Sequence, residues 1–375
     1  MKTNQRKVYN PNNFNAVDSA VAFILILAAF YFIELGLTAV IKSFGSIENI
    51  DYYLLSIISA FITQGVVLAL AVIFSVVRKT PIFSGAGFTF EKNYVDILFG
   101  VLLALGLLFL LSGTHYTFVD DVYMSAYGLT YEEYTALIGE QLSGNEFLAV
   151  IYAFVLVPVL PCICEEALFR GVIMKGLNQF GSFAAIILSS VFFCLMHGNF
   201  SQVIIQFFVG FAIATIVTIT DNFAVGCAMH FANNFFSTLV TVSNSVWAVF
   251  APGIDYLLDA LQIVCGIVFL IVGGVYFTKR GLAKYKRVVK NEIQKPTGKD
   301  MRKPALIAKS NDFGVKNIDF QYTLRTALPA DLYDSGYYFY LDKPIRINKS
   351  ANKVVSIVLL TLGVILASIS LFLSL

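Results

Sequence analysis

Long apolar runs recur along this chain, most of them unbroken by any charge, and they leave it few ways to fold. A helix rises 1.5 Å per residue, so roughly twenty apolar residues cross the ~30 Å hydrocarbon core of a bilayer. That core has no water to satisfy backbone N–H and C=O groups, so only helices and closed barrels can span it. A barrel would show short segments of alternating polarity, whereas these runs are continuous. Composition agrees: of 375 residues 58% are hydrophobic and 13% charged, about half the charged share of a soluble domain. The reading is an all-α, polytopic transmembrane helix bundle.

About nine spans follow, near residues 19–41, 52–77, 94–111, 147–177, 182–196, 201–220, 223–240, 256–278 and 354–373. They divide the chain into N-terminal spans with an acidic outer loop (1–146), a core carrying the motifs (147–240), an eighth span (241–278), a basic segment (279–353) and a last span (354–375). The loop at 114–146 carries Asp120, Asp121, Glu132, Glu133, Glu140 and Glu146 and no Lys or Arg. Within it, Thr130 to Glu133 has capping-box spacing, which predicts a short amphipathic helix ending near Gly144. The segment 279–353 holds 17 Lys+Arg against 7 Asp+Glu. Its tyrosine-rich tract from Asp331 to Tyr340 suggests a short hairpin. Basic residues mark cytoplasmic flanks, so the N-terminus, the 78–93 loop and the 279–353 segment are expected inside. Basic residues at span ends also suit anionic lipid head groups. Nothing in the pattern suggests nucleic acid. The five cysteines, Cys162, Cys164, Cys194, Cys227 and Cys265, all lie in apolar runs and read as small hydrophobes rather than a disulfide framework.

One stretch breaks the apolar rule. After a run from Phe147 without charge, Glu165, Glu166 and Arg170 arrive within six positions. Ionisable groups at membrane depth are costly and mark function or tight pairing. Glu166 and Arg170 are i and i+4 and share a helix face; Glu165 points about 100° away and has no such partner. A free carboxylate in a dry pocket is what a general base requires. Pro158 and Pro161 lie just upstream. Proline removes backbone hydrogen bonds, so irregular backbone is expected immediately before Glu165, with helix resuming to about Leu177 and a turn from Asn178 to Gly181.

Of three histidines, His115 falls in the acidic loop and is set aside. Glu165 and His197 lie at similar distances either side of the turn at Phe180, which places them at similar height in an antiparallel hairpin. His230 and Asn234 are i and i+4 and point the same way; Asn233 is adjacent and could substitute. Phe193, one turn before His197, would wall the site. A glutamate, two histidines and an asparagine converging in a membrane suggest hydrolysis. Glu165, with or without His197, would take a proton from water, and His230 and Asn234 would donate to a developing oxyanion. No Gly-x-Ser-x-Gly elbow occurs. There is no His-Glu-x-x-His run either, although Glu165, His197 and His230 could supply three zinc ligands. A zinc metalloprotease is therefore one alternative. A non-catalytic membrane scaffold or regulator, keeping these residues as a polar network, is another. A small-solute transporter would need internal repeats, and none stands out.

Glu165-Glu166-x-x-x-Arg170, Phe193-x-x-x-His197 and His230-x-x-x-Asn234, in that order within apolar spans, resemble the CPBP family of CAAX proteases and bacteriocin-processing proteins, also called the Abi family. The resemblance covers about residues 147–239. It implies a glutamate-type intramembrane endopeptidase similar to the type II CAAX prenyl endopeptidases, acting on a peptide or lipidated protein without a cofactor or metal. By position it makes Glu165 catalytic and His197 an aid to water activation. His230 and Asn234 become the oxyanion pair, with Glu166, Arg170 and Phe193 supporting them. The expected setting is a bacterial plasma membrane, in peptide maturation or immunity.

Overall fold

A computed structural model describes residues 14–43, 51–78, 80, 94–127, 145–198, 202–220, 222–250, 255–293, 304–306, 322–324 and 349–373. These form nine helices, named in chain order: α1 (Ala16–Ser43), α2 (Tyr52–Arg78), α3 (Tyr94–Tyr127), α4 (from Glu146 to Leu177), α5 (Ser182–Met196), α6 (Val203–Thr220), α7 (Phe223–Phe250), α8 (Asp255–Ile293) and α9 (Lys349–Leu373). The fold is all-helical, apart from a three-residue antiparallel pairing of Pro304–Leu306 with Tyr322–Leu324. Each expected span falls on a helix. Six helical stretches are long and apolar enough to cross a membrane, while Ser182–Met196 and Val354–Ile369 are shorter apolar helices.

Three helices outrun the spans read from hydropathy. α3 continues to Tyr127 through part of the supposed outer loop, α7 to Phe250 and α8 to Ile293. Loss of apolarity marks where a helix leaves the membrane, not where its backbone hydrogen bonds stop. His115 thus lies on α3. The expected capping box at Thr130–Glu133, the helix ending near Gly144 and the Asp331–Tyr340 hairpin lie outside the described residues.

α4 sits between α2 and α7. Its helix changes pitch twice, with π turns at Tyr152–Leu156 and Ala167–Ile173. Irregular backbone was expected immediately before Glu165, but Val157–Glu166 is α-helix with Pro161 inside it, and the widened turn lies upstream of both prolines. Pro158 begins the α segment Val157–Glu166 at a position where a missing N–H is tolerated, and Pro161 lies inside that segment. Without an N–H, Pro161 cannot bond the carbonyl of Val157, four residues back. That carbonyl accepts from Asn234 Nδ2 of α7 at 3.2 Å. In the π register Pro158 would have served Ala153 O, five residues back, and Thr238 Oγ1 stands 3.5 Å from it. Asn234 of α7 thus supplies the donor that Pro161 removes from α4, as polar side chains do for broken membrane helices, while the Thr238 hydroxyl lies closer to Asn234 O of its own helix, at 3.2 Å.

α4 ends in a 3-10 turn, Asn178–Phe180, and at Gly181 φ is 101°. Glycine adopts that conformation without steric penalty, and the chain reverses into α5. Gly176 lets α1 come close: a Cβ there would collide with Ser19 Oγ and Asn15 O. Ser19 Oγ donates to Ile173 O at 2.8 Å and Ala16 N–H to Gln179 Oε1 at 3.1 Å. At the same end Arg78 closes on Asp18, with Nη2 2.5 Å from Oδ1. At the opposite end Asn145 N–H donates to Asp51 Oδ2 at 2.7 Å, so α2 and α4 start side by side. These ties set α1 antiparallel to α2 and α2 parallel to α4.

Small residues let the remaining helices pack closely, as is usual where lipid gives no hydrophobic drive for association. A Cβ on Gly106 of α3 would meet Leu270 N of α8 at 2.8 Å, and one on Gly266 would meet Leu110 N at 2.8 Å. The core lies where α1, α4, α5, α6 and α7 converge; Phe23 stacks on Phe192 at 4.2 Å. All five cysteines are free thiols.

Candidate active site

Glu165 and Glu166 are adjacent on α4, both buried, and each finds its partners on other faces. Glu166 is entirely buried, and its Oε1 lies 3.0 Å from Arg170 Nη1, the i,i+4 pair expected from the sequence. The same oxygen is 2.9 Å from His230 Nδ1. A carboxylate only accepts, so Nδ1 carries the proton. Glu166 therefore does more than pair with Arg170, because it also fixes the His230 ring. Arg170 is 1% exposed. It donates through Nη2 to Gly210 O at 3.1 Å and places its guanidinium carbon 4.7 Å from the Phe193 ring centre. A buried charge needs such a set of partners to be tolerated.

Gly226, one turn before His230, leaves the room. A Cβ there would meet Val217 Cγ2 at 2.7 Å and Glu166 Oε2 at 3.3 Å.

Glu165 is held differently. Its Oε1 accepts from Gln64 Nε2 of α2 at 2.7 Å. Its Oε2 has no hydrogen-bond partner among the described residues and lies 3.9 Å from His230 Nε2. That separation is too long for a direct hydrogen bond and is of the kind a bridging molecule fills. Gln64 escaped the sequence reading. The available signal was its place as a lone amide in the apolar run of α2, since polar groups inside membrane helices bond to neighbouring helices.

The two histidines flank Phe193. Its ring centre is 4.9 Å from that of His197 and 5.7 Å from that of His230, edge-on to the latter at 83°. Phe169 backs Phe193 at 5.3 Å. His197 Nδ1 lies 2.8 Å from Phe193 O. A carbonyl only accepts, so Nδ1–H donates and the neutral ring turns Nε2 into an acceptor. Gly198, just past the end of α5, has φ 60° and takes the chain out of the helix.

Asn234 is on the same helix as His230 but is already engaged. One amide hydrogen goes to Val157 O, and Oδ1 accepts from Asn233 Nδ2 at 3.2 Å. A second amide hydrogen remains. Asn233 is buried, and its Oδ1 has no partner among the described residues. Glu165, His197 and His230 do not form a metal cradle: among the described residues no three His, Cys, Asp or Glu groups converge to hold an ion.

No curated protein and no solved structure matches this chain. One family model does, over residues 147–236, a stretch that takes in every site residue named from the sequence and leaves Gln64 outside. From α4 to the middle of α7 the chain thus matches the family model described as type II CAAX prenyl endopeptidase Rce1-like.

Proposed function

We propose that this chain is an intramembrane endopeptidase in which Glu165 activates water against a peptide bond of a membrane-associated or lipidated peptide. The observation that carries the reading is the asymmetry of Glu165: one oxygen is held by Gln64, the other is buried, open and 3.9 Å from His230 Nε2. Water bound at Oε2 gives its proton to that carboxylate as its oxygen attacks the scissile carbonyl carbon. The protonated Glu165 then returns the proton to the leaving amine as the C–N bond breaks, as a general base that becomes a general acid. Nε2 of His197 is a second acceptor for the water.

The oxyanion needs donors. The spare amide hydrogen of Asn234 is one. His230 gives its Nδ1–H to Glu166, so its Nε2 donates to an oxyanion only with a second proton on the ring. Donors fixed in a water-poor site act strongly on developing charge. The buried network Arg170–Glu166–His230 holds the ring in place throughout.

Cleavage of lipidated and unlipidated peptides by the purified full chain tests this, with and without a strong chelator and beside Glu165→Gln. Cleavage that survives chelation and is lost in Glu165→Gln supports the mechanism. Activity lost to chelator and restored by Zn²⁺ would refute it in favour of a metalloprotease. A Glu165→Gln protein that still supports the cellular phenotype would point to a scaffold.

A further inference from the structure

Among the described residues, Gln64 is the one hydrogen-bond partner of Glu165 from outside the family match. It lies on α2, 9% exposed, 101 residues away in sequence, with its amide nitrogen 2.7 Å from Glu165 Oε1. We infer that Gln64 is a positioning residue for the reaction: its amide fixes the Glu165 carboxylate so that Oε2, and not Oε1, is the oxygen that takes the proton.

Three observations support the assignment. A carboxylate on a two-carbon stem rotates freely unless one oxygen is pinned, and no other side chain among the described residues donates a hydrogen bond to Glu165. The neighbouring glutamate also leaves its Oε2 without a partner among the described residues, but its Oε1 is engaged by charged and ring groups rather than by a neutral amide. Glu166 is pinned by an arginine and a histidine on Oε1, which commits it to holding the ring. Finally, Gln64 is neutral, so it orients Glu165 without the counter-charge that Arg170 gives Glu166. A cation in its place would hold the proton-accepting group as a permanent ion pair. The amide's own Oε1 is buried and without a partner among the described residues, so it is also an acceptor available to a donor entering the site, such as water or a peptide N–H.

This inference rests on Glu165 being the base, and the experiment separates the two. In the full chain, kcat and KM for a cleaved lipidated peptide are measured for Gln64→Met, Gln64→Asn and Glu165→Gln, with a thermal melt of each. Methionine matches glutamine in length but cannot donate. Loss of fixed orientation is expected to lower kcat by about 10²-fold and leave KM near its original value, a split that general loosening of the fold would not give. Gln64→Asn keeps the donor on a stem one methylene shorter, and its kcat falls as well. A folded Gln64→Met protein with unchanged kcat overturns the proposal while leaving the base assignment intact. Should the Met variant fail to fold, Gln64→Asn decides: unchanged kcat refutes positioning, a lowered kcat at constant KM supports it. Full activity in Glu165→Gln would remove the base itself and the proposal with it.

Discussion

Two buried carboxylate clusters in this chain look alike in composition and differ in what is left over. Asp96, at the start of α3, is 1% exposed; Tyr276 of α8 donates to its Oδ1 at 2.5 Å and Arg280 to its Oδ2 at 3.3 Å. Both oxygens are taken, and the tyrosine ring is itself stacked on Phe99 at 4.1 Å. Glu165 is 5% exposed and has one oxygen taken. The first cluster ties α3 to α8 and has nothing to offer a reactant. The second is incomplete in the way a general base must be. Burial of charge therefore does not set Glu165 apart, nor does an open oxygen alone, since Glu166 Oε2 also lacks a partner among the described residues; Glu165 differs in having no arginine paired with it.

The comparison is broken most directly by removing one carboxylate from each. Glu165→Gln is expected to reduce kcat by about 10²–10⁴-fold, the usual contribution of a positioned base, in a protein that still melts cooperatively. Asp96→Asn should do the reverse, leaving turnover of the folded protein unchanged and lowering stability by about 1.5–3 kcal/mol, as for hydrogen bonds to a charged group. Equal loss of turnover in the two would mean that the open oxygen carries no special role. Peptide cleavage and thermal melts in detergent read both.

Arg170 tests the depth of the network behind the site. Arg170→Met leaves Glu166 buried with His230 as its remaining partner, and breaking such a pair costs about 3–5 kcal/mol. Activity should fall with it, because Glu166, which holds the His230 ring, loses the arginine that fixes it. Gly226→Ala should act in the same direction and more weakly, by about 1–3 kcal/mol, because the new methyl overpacks against Val217 and Glu166. A stable, fully active Arg170→Met protein would show that the ring is held by α7 alone.

How much of this was legible follows the range of each contact. Glu166–Arg170 was readable because helix geometry puts i and i+4 on one face, and it forms even though Arg170 sits inside a π turn. The shared face of His230 and Asn234 was readable for the same reason. What Asn234 does was not read, because its partner is created elsewhere: Val157 O is free only because residue 161 is proline. Gln64 was missed because its partner lies on another helix. Hydropathy located the nine described helices and the apolar span of α3, but not where α3, α7 and α8 end, since it reports the membrane boundary and not the last hydrogen-bonded turn.

The proline arrangement gives a test of what holds α4 beside Glu165. Asn234→Leu removes the donor to Val157 O and should cost about 1–3 kcal/mol for a buried unsatisfied carbonyl. Pro161→Ala restores the backbone N–H that Val157 O lacks. If Asn234 serves that carbonyl, Pro161→Ala should make Asn234→Leu much less destabilising, a coupling that a double-mutant cycle measures. Kinetics on the Pro161→Ala, Asn234→Leu protein then show what remains of the oxyanion role: activity still low in a protein whose stability is restored assigns the spare amide hydrogen to catalysis.

The smallest effect belongs to the far end of the bundle. Asp51 caps α2 and reaches across to α4, and its carboxyl is held below the ordinary value, first by the Leu54 N–H and then by that of Asn145, with Tyr53 adding to them and burial opposing. A depressed carboxyl contributes stability that is fully present above its unfolded value and is lost as pH falls through the folded one. The tie between the starts of α2 and α4 should therefore hold at neutral pH and weaken only in the acid range, below the ordinary carboxylate value. Asp51→Asn removes the charge, so its melting temperature should differ from that of the unchanged protein at pH 7 and converge with it as both are taken into acid. Curves that stay parallel down to acid would mean that the charge of Asp51 adds nothing to the cap. Cleavage at pH 7 should be unaffected, because this tie is at the opposite end of α2 and α4 from the Asp18–Arg78 pair and touches none of the groups around Glu165.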